Sequence, residues 1–183
     1  MSIYCNFNTA EKNNRRQFEY KLQTMLRSKL NGYQRIIVLC IGSDYFIGDC
    51  LGSIVGHRLA SNHYDGIIVY GTLESSVHAG NLKEMIDTMN NKYCNPFIIV
   101  IDSFMGECNA IGSVTLREGE ISPGIAFGKT LPKVGNISIT GIVTQSDIAF
   151  EEFIHSVRMR LVMQIADFIV TGMLNAFNGM NLI

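Results

Sequence analysis

Nowhere in its 183 residues does the chain gather lysine and arginine into a cluster: 15 basic residues are scattered among 16 acidic ones, for a formal net charge of −1. Binding along a phosphate backbone needs a basic stripe, so nucleic acid is excluded as a direct partner. There is no C-x-x-C pair either. Cys5, Cys40, Cys50, Cys94 and Cys108 are odd in number and widely spaced, a pattern of reduced thiols in a cytoplasmic protein. The opening MSIYCNFNTAEKNNRRQFEY lacks the apolar core of a secretory signal, and no run approaches the roughly 18 apolar residues of a membrane span. No membrane association is expected. Repeats and low-complexity tracts are missing as well. What remains, 47% hydrophobic and 17% charged residues, suits one compact domain over residues 1–183 with a substantial core.

Within that domain the apolar pattern alternates between helix and strand. Asn8 or Thr9 followed by Glu11 marks a helix start, and Phe18, Leu22, Met25, Leu26 and Leu30 recur at helical spacing until Asn31-Gly32. A leading helix within residues 1–32 is expected. The continuous run from Arg35 to Ile41 reads as a central strand covered on both faces. A helix opening at Asp49, a strand at Gly66–Tyr70, a helix over His78–Asn90 and a strand at Pro96–Asp102 follow. This alternation implies parallel pairing through crossovers.

From Gly106 to Gly141 the helical period disappears and glycine becomes frequent. The expectation there is a hairpin, an ordered irregular loop around Ser122-Pro123-Gly124 and a strand at Ile137–Val143. Ser146-Asp147 then caps one long helix over residues 146–178. Its stripe of Phe150, Phe153, Ile154, Val157, Leu161, Ile165, Phe168 and Ile169 is backed by a second apolar side, Met159, Val162, Met163, Ala166 and Val170. Protein should therefore cover more than one face, and a homodimer contact along it is a further expectation.

Two apolar runs lead to aspartates: RIIVLCIGSDYFIGD to Asp49 and PFIIVID to Asp102. In an open parallel sheet, ligands collect at the carboxyl ends of the strands. Asp49 at the start of a helix is either an ordinary N-cap or a carboxylate held ionised by the helix N-terminus. Asp102, closing a Phe-Ile-Ile-Val-Ile run, is either a turn cap or a desolvated acid of raised pKa. Two carboxylates in unequal settings divide general base from general acid.

Histidine offers a competing, metal-based reading. His57 lies roughly 12 Å from Asp49 along a helix axis, at 1.5 Å per residue, whereas His78, in a loop, remains able to approach. Cys50 and Cys108 are read as buried small residues, since neither has a base within reach. PGIAFGKT resembles a P-loop superficially, but Pro123 stands where its first glycine should, and Leu131-Pro132 blocks the following helix. Lys129 there either steadies a carbonyl or anion or is simply solvated. Ser43, His78, Ser103 and Lys129 are the candidate substrate-binding residues.

The ordered set IGSDYFIGDCLGSIVG, YGTLESSVHAGNL, IDSFMG, SPGIAFGKTLPKVGNISITGIV and RLVMQIAD closely resembles the YyaC-type sporulation proteins of endospore-forming bacteria. These are similar to the germination protease that degrades small acid-soluble spore proteins. More distantly, Gly42, Asp49 and Gly52 in a G-x6-D-x-x-G pattern, with Asp102, resemble hydrogenase maturation proteases. The resemblance implies a three-layer α/β/α sandwich with a mostly parallel central sheet, and an aspartic-type pair at Asp49 and Asp102. The maturation enzymes' histidine ligand after a later strand has no counterpart in residues 112–143, so no metal or other cofactor is implied. It also implies a protein or peptide substrate, with small acid-soluble spore proteins as candidates, and a forespore or spore-core location. The alternative is a non-catalytic peptide-binding or regulatory sporulation protein on the same fold.

Overall fold

The computed structural model describes residues 4–33, 35–61, 64–123 and 131–183, the side chains of 150, 151 and 154 set aside. Six strands form one sheet: β1 (Tyr4–Asn8), β2 (Ile36–Cys40), β3 (Ile67–Tyr70), β4 (Phe97–Gly106), β5 (Ser113–Glu118) and β6 (Ile137–Gln145), in the spatial order β1-β5-β6-β4-β2-β3. β3, β2, β4 and β6 pair parallel, and β5 runs antiparallel to both β6 and β1. Among the described residues five α-helices accompany the sheet: α1 (Lys12–Lys29), α2 (Leu51–Ala60), α3 (Leu82–Lys92), α4 (Phe150–Ser156) and α5 (Met159–Asn178).

Alternation along the strands divides the core in two. Val38, Cys40, Ile99, Ile101, Leu116, Ile137 and Ile139 face a large core shared with α1, α2 and α5. Ile37, Leu39, Ile98 and Val100 point the other way and meet Leu82 and Met89 of α3. The result is the expected α/β/α sandwich with a mostly parallel sheet. Helices cover the first face along its length, whereas α3 covers the second only over the strands on the β4 side.

α1 follows its sequence pattern: Phe18, Leu22, Met25 and Leu26 are buried, and the chain turns at Gly32, whose φ of +88° suits glycine. Three expectations are corrected. The first residues are not all helix and turn, because Tyr4–Asn8 forms edge strand β1, with only Phe7 buried among its five residues. β2 is an interior strand but lies next to edge strand β3, and β6 and β4 occupy the middle. The long C-terminal helix is two helices, since Val157 and Arg158 adopt extended ψ of 132°. Ala149, not Ser146-Asp147, is the N-cap of α4.

Phe153 and the buried Val157, on either side of the end of α4, seat on Gly48, where an added Cβ would lie 2.4 Å from the Phe153 ring. α5 then runs between α1 and α2, with Phe168 against Phe18 and Asp167 paired with Arg58. By length and composition α5 could cross a membrane, and half of that window is buried in the fold. Of its second apolar side, Val162, Ala166 and Val170 are buried within the same chain, whereas Met159 keeps 45% of its surface exposed.

Candidate active site

Chain order places the site. From β2 the chain goes outward to β3 through α2 on one face, then returns through α3 on the opposite face to β4 on β2's other flank. β2 and β4 therefore border the point where the winding reverses, the usual ligand crevice of an open α/β sheet. Asp49 follows β2 and Asp102 lies on β4. The two aspartates are delivered to the same crevice.

Both aspartates sit differently from expectation. Asp49 closes a 3-10 turn, Ile47–Asp49, and Cys50 is the N-cap of α2, with no side-chain capping bond. Asp49 is therefore not the cap. Its position is set by backbone: Ser43 N–H donates to Asp49 O at 3.1 Å. A Cβ on Gly42 would stand 2.1 Å from that same oxygen, and one on Gly52 2.0 Å from Ile41 O. The G-x6-D-x-x-G spacing is thus the signature of a turn in which β2's end and the start of α2 touch through bare backbone.

Asp102 is not at the end of its strand. β4 continues to Gly106, whereas the ladder with β2 stops at Cys40 opposite Ile101. Asp102 is the first residue past that stop, and Thr140 of β6 is its register partner on the other side. At 8% exposure its carboxyl is nearly buried. Burial pushes its pKa well above the ordinary carboxylate range; the negative charge of Asp49 adds to this, and the Ser103 N–H opposes it. Asp49's charge is thus near enough to act on Asp102.

Around the pair opens a cleft of about 1160 Å³, lined by Ser43, Asp49, His78, Asp102 and Ser103 among others. Five of the six candidate residues, Ser43, Asp49, His78, Asp102 and Ser103, are joined there; Lys129 lies outside the described residues. Ser43 Oγ accepts from Tyr45 N–H at 3.2 Å. His78 Nδ1 accepts from Gly80 N–H at 3.1 Å, so in the neutral ring the proton is on Nε2. Among the described residues no group of three or more His, Cys, Asp or Glu side chains is placed to hold a metal ion. His57 is engaged elsewhere, with Glu74 at 3.0 Å.

Cys50 is buried and donates to Ile47 O at 3.0 Å, and burial raises its thiol pKa to about 11, which suppresses a thiolate. Cys108, expected buried, is exposed. It lies in a 3-10 turn with no buried residue.

The sequence reading missed the cleft's floor. Register aligns Asn6, Thr115, Thr140 and Asp102 across β1, β5, β6 and β4, with Tyr4, Arg117 and Ser138 in the next row. All seven line the cleft. The signal was present as period-2 alternation, Val114-Thr115-Leu116-Arg117 and Ile137-Ser138-Ile139-Thr140, which marks strands with one non-core face.

Fold and site together define an α/β protein with two neighbouring carboxylates in a switch-point cleft. The chain belongs to the family described as "Protein of unknown function (DUF1256)", whose profile matches residues 6–172. It is 36% identical over 155 residues to "Uncharacterized protein YyaC" of Bacillus subtilis (strain 168), covering 84% of this chain and 76% of that one. The crystal structure of the NiFe hydrogenase maturation protease HycI from Thermococcus kodakarensis KOD1 aligns at TM-score 0.40 and 17% identity, over 80% of this chain and 98% of that one.

Proposed function

We propose that the protein is a peptidase of aspartic type. The observation that carries this reading is the pairing of a nearly buried carboxyl, Asp102, with the half-buried Asp49 in one cleft at the switch point. Asp102, favoured in its protonated form, is the acid and Asp49 the base. Asp49 takes a proton from water as the water oxygen bonds to the peptide carbonyl carbon, and Asp102 gives its proton to the carbonyl oxygen. Collapse of the tetrahedral intermediate breaks the C–N bond. The amine leaves with the proton held by Asp49, and the hydroxyl proton returns to Asp102. One water is consumed and both carboxyls are restored.

Ser43, Ser103 and His78 Nε2–H are the groups we assign to holding the substrate. Following the family resemblance, we further propose a role in sporulation, with small acid-soluble spore proteins as substrates in the forespore or spore core. The test is incubation of the purified protein with such proteins and with unfolded peptides, read by mass spectrometry. Cleavage should fall by about 10²–10⁴-fold in Asp49→Asn and in Asp102→Asn, the usual contribution of a positioned acid or base. Full activity in either variant would refute the mechanism. Peptide binding without turnover in the wild type would instead make this a binding protein on the same fold.

A further inference from the structure

The cleft is lined in two different ways. β6 contributes Ser138, Thr140 and Ile142, β5 Thr115 and Arg117, and β1 Tyr4 and Asn6, in each case alternate residues, as a strand seen face-on must. β4 contributes every residue from Asp102 to Gly106. Consecutive residues line a cavity when a strand presents its edge as well as its face. Past Asp102, therefore, β4 offers backbone to the cleft.

The hydrogen-bond alternation says which groups these are. Phe97 N–H bonds to Arg35 O, and Ile101 O accepts from Ile41 N–H at 2.7 Å, so the odd-numbered residues of β4 face β2. Ile98 O accepts from Asn136 N–H, and Gly106 O from Ser146 N–H, so the even-numbered ones face β6. Ser103 continues the series toward β2's lane, and although the register with β6 shifts between Phe104 and Met105, the bond from Ser146 to Gly106 keeps Met105 in that lane too. β2 has left it by then, because Ile41 bridges to Val77 and Gly42 N–H turns to Val77 O at 2.8 Å. Among the described residues no backbone hydrogen bond reaches Ser103 or Met105 from that lane; the Ser103 N–H is turned to the Asp102 carboxyl, which leaves Ser103 O and the Met105 N–H and O to pair. Beside them Phe104 keeps 51% of its surface exposed. An unpaired strand edge is a template for another strand.

The geometry points to Ser103–Gly106 as a strand-addition site: an extended, unfolded segment of another polypeptide pairs with the open edge of β4 in the lane β2 vacates. The inference deepens the peptidase reading, on which it rests for the role of the two aspartates. From Ser103 to Gly106 the edge runs roughly 10 Å at 3.3 Å per residue, room for about three substrate residues. It starts beside Asp102, so a paired backbone carries its next peptide bond to the carboxylates. Recognition through backbone also sets a substrate class. Facing positions must keep their N–H, which excludes proline there, and the segment must already lack secondary structure.

The probe is an immobilised library of random 12-residue peptides, screened with Asp49→Asn protein so that bound peptides stay intact. Captured peptides are resynthesised with single N-methyl groups at each backbone position in turn. The expected result is an alternating pattern, with binding weakened about tenfold or more at every second position and little changed between, as loss of edge hydrogen bonds requires. Hydrogen exchange of the Met105 amide should slow on binding. Met105→Pro, tolerable on an open edge, should weaken the same peptides while still unfolding cooperatively in urea, at a lowered midpoint because the Met105 side chain packs against the core. A uniform N-methyl profile, an unprotected Met105 amide, or no captured peptide would overturn the inference. Cleavage by the wild type with a uniform profile would leave the peptidase standing without strand addition. An alternating profile without cleavage would keep strand addition and remove the peptidase.

Discussion

Asp102 shows how one side chain links chemistry to stability. An unfolded aspartate ionises near pH 4, whereas burial and Asp49 hold the folded Asp102 carboxyl protonated to higher pH. In the window between the two values the native state binds the extra proton, so stability falls as pH rises through it. Asp102→Asn carries no such proton. Its urea midpoint should stay level across that window and exceed the wild-type value by a margin that widens toward neutral pH; parallel profiles would contradict the assignment. The same residue marks a limit of reading from sequence. PFIIVID identified a buried run and a perturbed carboxyl, but whether Asp102 ends the strand depends on how far β6 runs beside it, to Gln145 opposite Gly106, and a neighbour's length is not written in β4. The exposure of Cys108 was illegible for a similar reason, since it sits in a turn that only the packed sheet defines. Gly52→Ala tests another residue-scale claim. With a Cβ 2.0 Å from Ile41 O, it should cost about 1–3 kcal/mol or more in denaturant unfolding.

At the scale of elements, the helices and buried strands were legible because their apolar periods are long and regular. α1 is the clearest. Phe18, fully buried, meets Phe7 edge-on at 5.6 Å and Phe168 at 5.5 Å, so one ring joins β1, α1 and α5. Phe18→Ala should destabilise by about 3–5 kcal/mol, measured by urea unfolding. β1 escaped the reading because it is a five-residue edge strand with two exposed asparagines, and its pairing partner, β5, lies more than a hundred residues away. The α4–α5 break escaped because no proline or glycine marks it. Val157 and Arg158 turn extended inside an apolar stripe that keeps its helical spacing, so no local pattern records where the helix stops.

For the molecule as a whole, the uneven coverage of the sheet matters most. One face is sealed by α1, α2 and α5, and the other carries α3 over only part of its width, leaving the polar rows of β1, β5 and β6 as the floor of the cleft. The same arrangement buries α5. Although α5 passes for a membrane span by composition, the purified protein should partition into the aqueous phase in a Triton X-114 separation, and recovery in the detergent phase would show that the helix leaves the core.

The glycine contacts around Asp49 bear on how such a protein diverges. Gly42 meets Asp49 O, Gly52 meets Ile41, Gly56 meets Gly71 O, and Gly71 in turn meets Cys40 O, each so closely that a Cβ would fall 1.8–2.1 Å from a carbonyl oxygen. The turn that carries Asp49 is clamped main chain to main chain. Exchanging the aliphatic filling of the interior, one methyl group for another, should therefore leave the carboxylate in place. At these four positions the smallest step away from glycine is already too large.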